Sequence, residues 1–260
     1  MIYALFFLSL LGGFCSGLLG VGGAVLLIPL LLIVPRWLGL GELSMHAVTG
    51  LTMIQVFAAS LTGWLAHRRG GFTHKPTILS IGIPMGIFSF VGAALSKSMS
   101  GETMMIIFGC LVAVAFFMLL KGTANEANET TDFEFKRLLS IGSGSCVGFM
   151  AGIVGAGGGF ILIPVMIKIL KVPIRVTVGS SLGIVLIGAL MGSLGKIMTL
   201  QIEWAYLVPV VAGALPASLI GAHLSKKIPA PHLRRMLLIL VSVILTKTWY
   251  DLFRMFMSDR

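Results

Sequence analysis

Charge is scarce in this sequence. Of 260 residues only 11% are charged, where a soluble domain carries about 25%, so no separate soluble domain is expected. Acidic residues are rarer still: Glu42, Glu102, Glu126, Glu129, Asp132, Glu134, Glu203, Asp251 and Asp259 are all nine. None falls in the middle of an apolar run. Proton relays and cation carriers generally place a carboxylate within the membrane, so its absence points away from a cationic substrate. Cysteine is limited to Cys15, Cys110 and Cys146, which have no paired spacing and read as small buried apolar residues. His46, His67, His74, His223 and His232 sit at the ends of apolar runs or between them. There is no HExxH, no phosphate-binding glycine loop ending in Gly-Lys-Ser/Thr, and no Ser-His pairing at a plausible depth. An enzyme is not expected. The opening "MIYALFFLSLLGG" lacks the basic stretch of a secretory signal and is expected to be part of the folded protein. The net charge of +10 does not indicate a nucleic-acid partner, because the basic residues lie in short loops, where they report orientation in a bilayer.

What the sequence has is hydrophobic length. Hydrophobic residues make up 57% of it, in runs of about 18 or more, which marks a multi-pass membrane protein. The expected fold is an all-α bundle. Apolar elements fall at about 2–34, 47–66, 76–95 and 103–120, then at 138–170, 176–195, 204–224 and 236–255. The polar stretch "KGTANEANETTDFEFKR" separates two halves. The expected division is a first repeat over 1–120, a cytoplasmic linker over 121–137 and a second repeat over 138–260.

The halves resemble each other. "GLLGVGGAVLLIP" begins at Gly17 and "GIVGAGGGFILIP" at Gly152. Gly20, Gly22, Gly23 and Pro29 match Gly155, Gly157, Gly158 and Pro164. Beyond a shift of register, Gly50 and Thr52 match Gly179 and Ser181, Gly63 matches Gly192, and "GAALSK" at Gly92 matches "GAHLSK" at Gly221. Internal duplication in a membrane protein is a signature of secondary transporters.

Each half opens on a glycine-broken element too long to cross once: 33 straight residues reach about 50 Å, against a hydrocarbon core of about 30 Å. Charge favours re-entrant hairpins. If both broken elements return to their starting side, one face collects the loops around 67–75, 121–137, 168–175 and 225–235. The first three loops hold three Lys or Arg each and the last holds four, thirteen in all. The other face holds Arg36, Lys97 and Lys196, plus three residues near the C-terminus. That is a positive-inside bias, and it makes the two repeats inverted in topology. Eight single crossings, the alternative, split the charges ten to nine.

Glycine permits left-handed turns and close backbone approach. After each cluster a helix restarts, near Gly23 and Gly158, with unpaired N–H groups that attract an anion. Two such ends facing each other at mid-bilayer would hold a small oxyanion. The candidate substrate-binding residues are Gly20, Gly22, Gly23 and Ala24, with Gly155, Gly157, Gly158 and Gly159. Hydroxyls one turn into the next spans add Thr49, Thr52, Ser180 and Ser181, and Gln55 lies on the same face as Thr52. The remaining glycines are expected to serve helix packing.

The paired motifs, followed by "VTGLT" and "VGSSL", resemble the sulfite exporter TauE/SafE family of membrane permeases over nearly the whole chain. Ala24 stands where the second copy has Gly159, and Gly50-Leu51-Thr52 departs from the family's tendency toward Gly-Thr-Ser. The resemblance implies a secondary transporter of the cell inner membrane that exports sulfite, sulfoacetate or a related sulfur-containing anion. The expected partners are that anion, the bilayer and a second copy in a homodimer; no cofactor, metal or nucleic acid is expected. Two other readings remain: a carrier of another small solute such as an amino acid or metal ion, or a thiol-dependent membrane sulfur-transfer protein. Cys15 and Cys146 each precede a glycine cluster, although Cys15 matches Met150 rather than a second thiol.

Overall fold

The computed structural model describes residues 1–67, 74–120 and 137–258. The expected linker, apart from Arg137, lies outside them, as do Arg68 and Arg69. The described residues form ten α-helices: α1 Ile2–Leu19, α2 Ala24–Trp37, α3 Met45–His67, α4 Lys75–Leu95, α5 Gly101–Leu120, α6 Arg137–Val154, α7 Gly159–Lys168, α8 Ile174–Met198, α9 Leu207–Ser225 and α10 Ala230–Ser258. Eight are long and apolar enough to cross a membrane, and α2 and α7 are shorter apolar helices. The chain is an all-α, multi-pass membrane protein. Its helix boundaries follow the apolar runs, and both broken elements are interrupted at the glycine clusters.

Glycine packing sets the helix pairs. Gly13 and Gly17 of α1 lie against the backbone of Ala214 and Ser218 in α9. Gly148 and Gly152 of α6 lie in the same way against Met85 and Ser89 in α4. These are matching positions of the two halves, and so are the contacts Gly221–Phe14 and Gly92–Phe149. Each pair ascends together, so α1 is parallel to α9, and α6 to α4. Small residues let helix backbones close to van der Waals distance, where dispersion and backbone contacts hold them in an environment with little hydrophobic driving force.

The directions of the remaining helices follow from contacts. Ser218 Oγ donates to Ala59 O and Lys226 Nζ to Ala66 O at 2.7 Å, so α9 also runs parallel to α3. Gly86 meets Ile187 and Gly195 meets Ala93, so α4 runs parallel to α8. Val56 and Val185 meet near the middle of α3 and α8, while Lys196 reaches Thr49, so those two are antiparallel. Thus α1, α3 and α9 point one way and α4, α6 and α8 the other. α8 and α3 are the most enclosed spans, with 78% and 67% of their apolar windows buried; α10 and α5, at 28% and 33%, form the periphery.

Both glycine breaks reverse the chain. Gly23 sits against the Gly12 carbonyl and Ser16, so α2 folds back along α1, and Gly41 ends beside the Met1 side chain. Gly158 sits against Ala151 and Val147, so α7 folds back along α6. The arms are unequal: α1 and α6 have 18 residues each, about 27 Å, against 14 for α2 and 10 for α7. The bends therefore lie beyond the point two equal short arms would reach. Arg234 Nη2 donates to Leu119 O at 2.9 Å and His74 N to Ser180 Oγ at 3.0 Å. These contacts gather the ends of α3, α5 and α9 with the starts of α4, α8 and α10, along with Lys75, Arg137, Lys171, Lys226, Lys227 and Arg235, on one basic face. Lys196 departs from its expected place in a loop: it is in the last turn of α8 and fully buried.

Candidate functional site

The two breaks have one local design. Gly20, Gly22 and Gly23 have φ of 73°, 79° and 76°; Gly155, Gly157 and Gly158 have 73°, 61° and 71°. An L-residue there is held in the left-handed region at a cost of about 1–2 kcal/mol. Gly23 and Gly158 are the N-caps of α2 and α7, and neither cap makes a side-chain hydrogen bond. Leu26 and Leu27 N–H donate to Gly23 O, as Ile161 and Leu162 do to Gly158 O. The earlier amides of each helix have no intrahelical acceptor, and the helix dipole puts partial positive charge there.

The breaks meet in the middle of the bundle. Gly22 and Gly157 both abut Val56 and Val185, the contact at which α3 and α8 cross. Gly159 abuts the Val21 backbone, which occupies the place a Cβ would take; Ala24, its match, is fully buried. Two hydroxyls brace the breaks across the halves. Thr52 Oγ1 donates to Gly155 O at 2.9 Å, and Ser181 Oγ donates to Gly20 O at 3.2 Å. These pairs occupy matching positions. The backbones touch, so an anion reaching both helix ends requires the halves to part.

The other candidates divide. Thr49 Oγ1 donates to His46 O at 3.0 Å, and the Thr52 and Ser181 hydroxyls also reach carbonyls of their own helices. Their protons serve the protein in this arrangement. Ser180 accepts from His74 N, which ties it to the start of α4 rather than to the breaks. Gln55 is different. It is fully buried, its amide nitrogen lies beside Gly12, and neither Nε2 nor Oε1 has a hydrogen-bond partner. Ser16 Oγ, next to Gly23, is also buried and unpartnered. Buried polar groups left unpaired cost about 1–3 kcal/mol each, so the first break carries unused polar capacity. The three cysteines are free, and Cys110 and Cys146 are exposed.

Lys196 lies outside the candidates named from the sequence. Its ammonium lies 3.0 Å from Thr49 Oγ1, 2.7 Å from Ser96 Oγ, 2.9 Å from Gln201 Oε1 and 3.4 Å from Ile153 O. Ile153 O belongs to the last turn of α6, where a cation is favoured by the dipole. Thr49, in turn, packs on Gly155, so this cage adjoins the second break. Among the described residues no carboxylate pairs with Lys196. The sequence carried one faint signal: a lysine inside an apolar run, in "GSLGKIM".

Similarity to known proteins bears on this geometry. Residues 5–248 match the family described as sulfite exporter TauE/SafE. The chain is 23% identical over 254 residues to the probable membrane transporter protein YunE of Bacillus subtilis, covering 90% of this chain and 93% of that one. It is 26% identical over 248 residues to a probable membrane transporter protein of Xylella fastidiosa, covering 91% of each. A probable membrane transporter protein of Methanocaldococcus jannaschii is 27% identical over 238 residues, with 86% of each covered. No solved structure matches. The family match spans nearly every helix, both glycine breaks and the buried lysine, and the chain belongs to the sulfite exporter TauE/SafE family of membrane transporters.

Proposed function

We propose that this membrane transporter exports small sulfur-containing anions, sulfite or a sulfonate, by alternating access at the meeting point of its two glycine breaks. The observation that carries the reading is the pair of uncapped helix starts at Gly23 and Gly158, each preceded by a glycine, Gly22 or Gly157, that abuts both Val56 and Val185. Amides at such ends bind oxyanions, and no carboxylate stands among these residues to repel one. The opposed directions of α1 and α6, and the matching braces from Thr52 and Ser181, support two inverted repeats that rock against each other. The basic face is then cytoplasmic, and its charge raises the local concentration of anions before they enter. Export needs no coupling ion: each negative charge leaving a cell gains about 2.3 kcal/mol per 100 mV.

The test is efflux of radiolabelled sulfite and sulfoacetate from proteoliposomes, with wild-type protein and Gly158→Leu. Gly158 has φ of 71°, and a Cβ there would stand 2.7 Å from Met85 Cε and 3.0 Å from Ala151 Cβ. Wild-type efflux should accelerate with an inside-negative potential, and the folded variant should lose it. Equal flux in the two proteins refutes the role of the break. A wild-type protein that moves carboxylates or amino acids but neither sulfur anion refutes the substrate.

A further inference from the structure

We propose that Lys196 and Ser96 form an anion-binding site on the face opposite the basic one, and that the Gln201 side chain holds the anion's place in the closed arrangement. The proposal rests on the anion-transport reading and adds to it the residue that recognises charge.

The geometry is that of an anion site with a neutral substitute in it. Gln201 Oε1 accepts from Lys196 Nζ at 2.9 Å and lies 3.0 Å from Ser96 Oγ, whose single proton also reaches Ala93 O at 2.6 Å. An oxygen set between the lysine nitrogen and a hydroxyl stands where an oxyanion oxygen would. The remaining acceptors around the ammonium, Thr49 Oγ1, Ser96 Oγ and Ile153 O, are neutral. None of them brings a counter-charge to the lysine nitrogen. A buried charge without a counter-charge is among the most costly features in a membrane protein, and where it occurs it generally marks a substrate or ion path. All four groups are 7% exposed or less. A small oxyanion of charge −1 or −2 in that place would supply the missing counter-charge to Lys196 and lie beside the Ser96 hydroxyl.

Gln201 lies at the outer edge of this cluster. It sits in the short turn after α8, behind Leu200, which has φ of 57° and is 82% exposed. Its amide nitrogen donates to Ala93 O and Thr199 Oγ1, and its backbone carbonyl lies against Gly50. The turn therefore closes over Lys196 from outside, while Thr49 joins Lys196 to Gly155 and the second break. The match of Lys196 in the first half is His67 and that of Thr49 is Val178, so this arrangement is built on one side only.

The experiment is anion binding to purified full-length protein, measured as thermal stabilisation by sodium sulfite, sulfoacetate, acetate and phosphate at constant ionic strength. The proteins are wild type, Lys196→Gln, Lys196→Arg and Gln201→Ala. Loss of a charge-assisted bond weakens binding by about tenfold to a hundredfold. Lys196→Gln should show that loss, and Lys196→Arg should retain part of the affinity. Gln201→Ala should bind several-fold more tightly, because the competing oxygen is gone. Folding is checked by the unliganded transition and a monodisperse profile. If Lys196→Gln folds and binds as wild type does, the lysine is only a cap on α6 and the proposal falls. If Lys196→Gln does not fold, Gln201→Ala decides: unchanged or weaker binding overturns the proposal. Binding of acetate or phosphate alone, still dependent on Lys196, would uphold this site and remove the sulfur-anion reading. Sulfite binding independent of Lys196 and Gln201 would do the reverse.

Discussion

Replacing Gly23 by alanine separates two reasons for a glycine. Gly39, in the exposed turn after α2, has φ of 65° and nothing within 4 Å of where its Cβ would stand. Gly23 has φ of 76°, and its Cβ would run into the Gly12 carbonyl, with Ser16 Cβ at 3.2 Å. In both variants alanine is forced into the left-handed region at about 1–2 kcal/mol. In both, alanine also removes about 0.4–1 kcal/mol of freedom from the unfolded chain. These contributions cancel in the difference. What remains is overpacking of α1 against α2, typically about 1–3 kcal/mol. Gly39→Ala should therefore cost about 0–1.6 kcal/mol, and Gly23→Ala about 1–3 kcal/mol more. Unfolding in mixed micelles, followed by the helical circular dichroism signal, measures both. If the two variants agree within about 0.5 kcal/mol, the usual scatter between independent sites, α2 does not lie backbone-to-backbone on α1. The tight reversal would then be wrong.

The cross-half braces predict a symmetric pair of effects. Thr52→Val and Ser181→Ala each remove one hydroxyl donor to the opposite break, and each should cost about 0.5–1.5 kcal/mol. Because the breaks touch, the double variant should depart from additivity by at least about 0.5 kcal/mol; strict additivity would show that the breaks do not sense each other. Orientation is checked by thiol labelling after Cys15, Cys110 and Cys146 are replaced by serine. Lys97→Cys should react with an impermeant maleimide in intact cells, and Lys171→Cys only after permeabilisation; the opposite pattern would turn the transporter over.

The fold was legible because membrane helices announce themselves by apolar length, and because duplication wrote the unusual feature twice. The glycine clusters at Gly20–Gly23 and Gly155–Gly158 mark the two reversals, between α1 and α2 and between α6 and α7. The stripe Gly13–Gly17 and its match Gly148–Gly152 read correctly as packing, since a helix that loses side chains at every fourth residue has little else to offer. Arm lengths were not legible. Apolar composition continues unchanged through each break, so nothing local says that α1 runs for 18 residues while α7 stops after 10. The hydroxyls show another limit. Sequence places Thr52 and Ser181 beside the breaks, but whether their protons face a ligand or Gly155 O and Gly20 O depends on helix rotation, which tertiary packing sets.

Lys196 was illegible for a different reason. A lysine near the end of an apolar run snorkels to water by default, so its place in the run says "loop". Its burial is made by residues that sequence keeps far apart: Thr49 from α3, Ser96 from the end of α4, Ile153 from α6 and Gln201 from the turn beyond. Each alone is an ordinary polar residue at the edge of a span. Together they bury the end of a lysine with no acid beside it among the described residues. Two symmetric breaks made of neutral amides have no preferred side, whereas a single buried ammonium beside only the second break gives the path a polarity. The electrochemical gradient sets the direction of net flux, so this asymmetry bears on which face of the path holds an anion more tightly, a difference that duplication alone cannot make.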